Sequence, residues 1–183
     1  LFIHRLLRCR DRIDAYVFPS RFTLQKFVEA GFPEEKLHYV PTPVDASAVT
    51  PYYSEGGNFL YFGRVVVEKG VHDLLHAYRG LPAGKPRLDV VGALADTPYA
   101  KALMNEFKEV SFHDFTTKQG LERYIEGAQC VIIPSVWYDN LPNVLLEAYS
   151  YGKPVIAPNH GSFRDLVRDG ETGLFYTPGS AAA

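Results

Sequence analysis

With 183 residues, of which 46% are hydrophobic and 22% charged, the chain can bury a full core and is long enough for one domain plus a piece of another. A net charge of −2 gives no general attraction for nucleic acid, so none is expected as a partner. The two cysteines, Cys9 and Cys130, make no disulfide framework, and no apolar run is long enough to span a membrane, so a cytoplasmic protein without a signal peptide is expected.

The opening LFIHRLLRCR is apolar and basic. It reads as a membrane-surface helix or, in the preferred reading, as a helix cut from its own domain, whose bared core face would favour self-association. Strands are then predicted at 15–19 and 37–41, with a helix at 21–30 between them. After the Pro41-Thr42-Pro43 linker, strands are predicted at 59–62, 87–91, 110–115, 130–134, 154–157 and 173–176. Helices are predicted at 70–78, 98–108, 118–127, 141–151 and 162–167. This alternation implies an α/β fold, a Rossmann-like parallel sheet flanked by helices and joined by right-handed crossovers. Ligands of such sheets sit at the C-terminal ends of the strands. The expected divisions are 1–43, 44–180, and a vector-derived tail at 181–183.

The segment 134–147, PSVWYDNLPNVLLE, carries the most chemistry. A buried run from Cys130 to Ile133 ends at Pro134-Ser135, and a short loop then holds Trp137, Tyr138 and Asp139. A helix is predicted to open at Asn140-Leu141-Pro142, with Asn140 as N-cap and Pro142 where a missing N–H costs nothing. Unpaired N–H groups at such an end favour an anion. Leu141, Val144, Leu145 and Ala148 keep helical spacing and are expected to face the sheet. Glu147 lies off that stripe beside Asn143 and leans back towards the helix N-terminus, within reach of a ribose attached to phosphates there. The alternative is an ordinary surface glutamate. It is weakened because the helical neighbours Asn143 and Tyr151 supply no cation.

A second motif falls at a strand end. Residues 58–63, NFLYFG, read as a buried strand closed by Gly63-Arg64, and Glu68-Lys69-Gly70 begins the next helix. Arg64 can make a forked contact with an anion such as a phosphate and Lys69 acts as a point charge, together offsetting negative charge at the strand's end. Solvated surface cations are the plainer reading of either residue alone.

Taken together, Gly63-Arg64, Lys69-Gly70, Pro134-Ser135, Asn140, Pro142, Asn143, Glu147-Ala148, Gly152, Pro154-Val155-Ile156-Ala157 and 169–174 resemble the signature of family 4 retaining glycosyltransferases. Those enzymes have the two-domain GT-B fold. The resemblance implies the C-terminal, donor-binding half of such an enzyme, with 1–43 as the tail of the acceptor domain and the linker. One position departs from the pattern: Asp139 stands where the family has the first of two glutamates, keeping the charge with a reach one methylene shorter. By resemblance, Asp139 contacts the donor sugar and acts with Arg64 and Lys69, which grip the diphosphate. Gly63, Asn140, Leu141 and Asn143 surround that group, and Glu147 holds the ribose. Phe115 and Thr116 line the base, although Asp114 replaces the family's glycine there.

The implied reaction passes a sugar from a nucleoside diphosphate sugar to an acceptor hydroxyl, with retention and with neither metal nor further cofactor. The implied acceptor is a sugar or glycolipid brought by the N-terminal half, in polysaccharide assembly at the membrane surface. The chain alone is expected to be inactive. A nucleotide-sugar epimerase of the same fold, and a degenerate binding module in which Asp139 marks lost catalysis, are the alternatives. Other chemistries lack their residues. His72 and His76 have zinc-site spacing, but Asp73 stands where the metalloprotease motif needs Glu. No Asp-x-Asp, C-x-x-C, G-x-S-x-G, Walker loop or G-x-G-x-x-G occurs.

Overall fold

The computed structural model describes residues 12–44, 49–53, 57–92, 97–114 and 117–178. The chain divides into two compact units, Leu1–Pro43 and Val44–Ala183. In the first, β1 (Tyr16–Phe18) and β2 (Leu37–Tyr39) pair in parallel, joined by α1 (Arg21–Glu29). Ser20 caps α1, its hydroxyl accepting from the Thr23 amide at 3.2 Å. Phe18, Phe27 and Phe32 stack in sequence, with ring centroids 4.6 and 4.7 Å apart.

The second unit is a six-stranded sheet, parallel throughout. Its strands are β3 (Asn58–Phe62), β4 (Leu88–Val91), β5 (Ser111–His113), β6 (Ala128–Ile132), β7 (Val155–Pro158) and β8 (Gly173–Tyr176). The intervening helices are α2 (Val71–Gly80), α3 (Pro98–Glu106), α4 (Lys118–Glu126), α5 (Asn143–Ser150) and α6 (Phe163–Leu166). Strand side chains alternate between two cores, as a pleated strand requires. Leu60, Phe62, Val131 and Ile133 join Ile125, Leu145, Ala148 and Phe163 on one side. Tyr61, Cys130 and Ile132 join Leu74, Leu75, Ala100 and Leu103 on the other. Cys130 is free and buried, as its place in the apolar run suggests, and burial pushes its thiol up to about 11.

The strand order is β5-β4-β3-β6-β7-β8. From β3 the chain winds outward through β4 to β5, returns to the centre at β6, and winds the other way to β8. The loops leaving β3 and β6 therefore diverge, and a crevice opens between them at the topological switch point. Among the described residues, no helix is long and apolar enough to cross a membrane.

The strands and helices predicted from residue 15 onward form, with shifts at their ends, while the opening helix expected at 1–10 and the last residue of the 110–115 strand lie outside the described residues. One shift affects the site. The helix expected from Leu141 begins at Asn143, with Pro142 as its cap at φ −77° and ψ 100°. A proline disfavours helical backbone in the residue before it, so Leu141 cannot start the helix and Asn140 is not its N-cap. The predicted run Glu68-Lys69-Gly70 is likewise a separate 3₁₀ turn, Val67–Lys69, closed by Gly70 in the left-handed region at φ 64°.

Candidate functional site

A cavity of about 280 Å³ fills the crevice between the ends of β3 and β6. Tyr61, Phe62, Gly63 and Arg64 line it from β3 and the turn beyond. Ile132, Ile133, Pro134 and Ser135 line it from β6, with Asp139, Leu141, Pro142, Asn143 and Val144 from the following loop and helix, and Lys69 closes the set. Close backbone approach shapes its walls. A Cβ at Gly92 would run into the carbonyl of Gly63, so the turns after β3 and β4 approach this closely only because position 92 is glycine. A Cβ on Gly70 would meet the Pro134 carbonyl, and the Val136 amide donates to the Glu68 carbonyl at 3.2 Å. These contacts hold the loops after β3 and β6 together.

Across the cavity, the Lys69 ammonium donates to both carboxylate oxygens of Asp139, at 2.8 and 2.9 Å. The Asp139 side chain is 18% exposed and that of Lys69 29%, so the pair is desolvated yet open to a ligand. The Ser135 hydroxyl donates to Asp139 Oδ2 at 3.0 Å, and the Ser162 hydroxyl donates to the Asp139 carbonyl at 2.7 Å. The Tyr61 hydroxyl donates to the Arg64 carbonyl at 2.7 Å, and burial holds that phenol protonated well above its ordinary range. Arg64, Lys69 and Asp139 sum to one net positive charge at the cavity.

The end of α5 adds to that field. Its first intrahelical bond runs from the Leu145 amide to the Pro142 carbonyl, and no side chain caps it. The amides of Asn143 and Val144 therefore lie at an uncapped, electropositive helix end that is also cavity wall. The Leu141 amide precedes the helix and is not one of its terminal N–H groups, contrary to the sequence expectation.

The other expected residues fall as follows. Arg64, Lys69, Asp139, Gly63, Leu141 and Asn143 line the cavity, whereas Asn140 and Glu147 are not among its lining residues. Glu147 is an exposed residue about one turn into α5. Partial burial of its carboxyl raises its pKa, and the charge of Lys118, from the start of α4, acts against that rise. The cation missing from its own helix thus comes from another one. Phe115 and Thr116 lie outside the described residues. Trp137 and Tyr138 are both 61% exposed and stand outside the lining, with Tyr138 packed on the His160 ring at 4.9 Å. His72 bonds Asp73 and Tyr99, and His76 stands edge-on to Phe107, so the zinc-like spacing serves helix packing.

Sequence reading missed Tyr61, Ser162 and the role of Ser135. The Pro134-Ser135 pair was a visible signal, but a single serine 23 residues beyond Asp139 carries none.

The family model described as Glycosyl transferases group 1 matches residues 56–183. Lipopolysaccharide 1,6-galactosyltransferase of Salmonella typhimurium is 27% identical over 94% of this chain and 50% of its own. GDP-mannose-dependent alpha-(1-6)-phosphatidylinositol monomannoside mannosyltransferase of Mycobacterium tuberculosis is 27% identical over 92% of this chain and 50% of its own. The crystal structure of Anabaena HepE in complex with UDP-glucose superposes with a TM-score of 0.78 at 22% identity, covering 92% of this chain and 51% of that one, which is a likeness of fold. The chain spans about half the length of the curated relatives it matches.

Proposed function

Because the chain belongs to the Glycosyl transferases group 1 family, we propose that its switch-point cavity binds the nucleoside diphosphate sugar of a retaining glycosyltransferase. One observation carries this reading: Arg64, Lys69, Asp139 and an uncapped helix end converge on a single cavity at the C-terminal ends of β3 and β6. A doubly wound sheet binds its nucleotide at such a place, and the Mycobacterium relative is named as dependent on GDP-mannose.

In this reading the diphosphate lies against Arg64, Lys69 and the Asn143 and Val144 amides, with Gly63 giving the backbone room. The sugar lies towards Asp139. Glu147 takes the ribose from the flank of α5, Asn140 and Leu141 border the diphosphate, and Phe115 and Thr116 border the base. As the acceptor oxygen bonds to the anomeric carbon, the sugar–phosphate bond breaks, the diphosphate leaves with the electron pair, and the acceptor's hydroxyl proton passes to the departing phosphate oxygen. Arg64, Lys69 and the helix end offset the charge that grows on it. Asp139 orients the sugar by accepting from a hydroxyl, and no nucleophilic role is assigned to it. The acceptor, a sugar or glycolipid, comes from an N-terminal half that closes over the donor. The purified chain alone is therefore expected to turn over no donor.

Calorimetric titration with UDP, GDP and ADP tests the site. One nucleotide should bind in preference, and Glu147→Ala should weaken it by about tenfold, the worth of a charge-assisted ribose contact. A folded chain that binds none of the three refutes the reading.

A further inference from the structure

Asp139 sits on a loop whose neighbours Val136, Trp137 and Tyr138 are solvent-exposed, so the local chain gives it little packing. A group that must meet one sugar hydroxyl needs support from rigid surroundings. Two buried hydroxyls supply it. Ser135, 1% exposed, stands at the end of β6, and Ser162, fully buried, stands after β7. Ser135 Oγ lies 3.0 Å from Asp139 Oδ2 and 3.3 Å from the Trp137 carbonyl. Its one proton goes to the nearer and charged acceptor. Ser162 Oγ holds the Asp139 main chain by its carbonyl at 2.7 Å. The Asp139 amide closes a tight turn onto the Trp137 carbonyl at 3.0 Å. His160 Nε2 faces the Ser135 carbonyl at 3.2 Å and therefore carries the ring proton, tying Ser135 to the β7 side as well.

The carboxylate is fixed in a way that decides what it can still accept. Oδ2 takes both the Lys69 ammonium and the Ser135 hydroxyl, while Oδ1 takes Lys69 alone. With two lone pairs on each oxygen, the open acceptor site is on Oδ1.

We propose that Ser135 and Ser162 are positioning residues, which clamp the side chain and backbone of Asp139 so that Oδ1 accepts a single hydroxyl of the donor sugar. This rests on the donor-site reading above. The Ser162 bond fixes the backbone from which the short Asp139 side chain extends. A buried hydroxyl that merely filled space would affect nucleotide and nucleotide sugar alike. A positioning hydroxyl affects only the part of binding that depends on the sugar.

The test measures the affinity of the chain for matched pairs, UDP with UDP-glucose and GDP with GDP-mannose, by calorimetry. The parent, Asp139→Ala, Ser135→Ala, Ser162→Ala and Ser162→Cys are compared, with thermal unfolding as the check on folding. Cysteine fills nearly the volume of serine with a weak donor, so it keeps the test open should the alanine variant not fold. In the pair that binds, both serine sites should shift the ratio of sugar-bearing to sugar-free affinity about tenfold, in the direction set by Asp139→Ala, while the diphosphate alone keeps its affinity. Equal loss of both affinities makes the serines structural and overturns the inference. So does an unchanged ratio at the serines beside a ratio that moves in Asp139→Ala. If Asp139→Ala itself leaves the ratio unchanged, or the parent binds no nucleotide, the donor-site reading falls and the clamp with it.

Discussion

Two carboxylates in the same sheet domain, Asp89 and Asp139, are both held by several donors, yet they do different things. Asp89 lies within β4 with its side chain 3% exposed. Asn58 donates to its Oδ2 at 2.8 Å, Arg87 reaches the same oxygen at 3.4 Å, and His113 Nε2 meets Oδ1 at 2.9 Å. These partners come from β3, from β5 and from just before β4, so the network sews neighbouring strands together and closes on itself. Asp139 has as many donor contacts, but Lys69 supplies two of them, and the pair stands at a cavity. What separates a structural charge from one able to bind is the acceptor left over and the space in front of it.

The largest effect that would break this contrast is one of stability. Arg87 is 60% exposed and stays solvated without Asp89, but the Asn58 and His113 donors lose their acceptor inside the sheet at about 1–3 kcal/mol each, so Asp89→Ala should lower the unfolding free energy by about 3 kcal/mol. Asp139→Ala frees Lys69 into a cavity where water can solvate it, and should cost less than about 1 kcal/mol. Urea unfolding of both variants gives the comparison directly. Equal losses would mean that the cavity pair is as structural as the sheet network.

Next in size is an effect on binding alone. Lys69→Ala should weaken diphosphate binding by about a hundredfold, since it removes a cation and leaves Asp139 facing an anion. Part of that loss is repulsion, so adding Asp139→Ala should recover about fivefold, a coupling that a double-mutant cycle isolates. A double variant no better than the single would mean that Asp139 does not face the phosphates' surroundings.

The two carboxylates also show where sequence reading worked and where it stopped. Asp139 was visible because it sits between a turn and a proline-started helix, in a pattern that strand-end binding sites repeat. The alternation of strands and helices gave the parallel sheet, and strand hydrophobicity gave the core residues around Cys130. Asp89 was passed over as part of a strand, because its partners Asn58 and His113 come near only through the pairing of β3, β4 and β5. Ser162 was unreadable for the same reason: its hydroxyl meets Asp139 only once β7 has paired beside β6. Helix rules misplaced the start of α5, since the restriction that Pro142 imposes on Leu141 outweighed the capping preference of Asn140.

Glu147 offers the smallest effect, and its sign runs against intuition. Its pKa is raised by partial burial, with Lys118 offsetting part of the rise. A carboxyl whose folded pKa lies above its unfolded one binds more protons in the folded state between those two values. Stability from this group therefore falls as pH rises through that window, starting near the ordinary value of 4.5, and the penalty is fully present at neutral pH. Glu147→Gln removes the ionised form, so it should raise the melting temperature at pH 7 by about a degree, little because the group is partly solvated and screened. The gain should vanish below about pH 4, where the carboxyl is protonated in both states. The same substitution should weaken nucleotide binding if Glu147 holds the ribose, so this carboxylate would be kept at a cost to stability for what it binds. A variant that is less stable at pH 7 would show that the Lys118 attraction outweighs the desolvation, and would make Glu147 a surface ion pair akin to the sheet network rather than to Asp139.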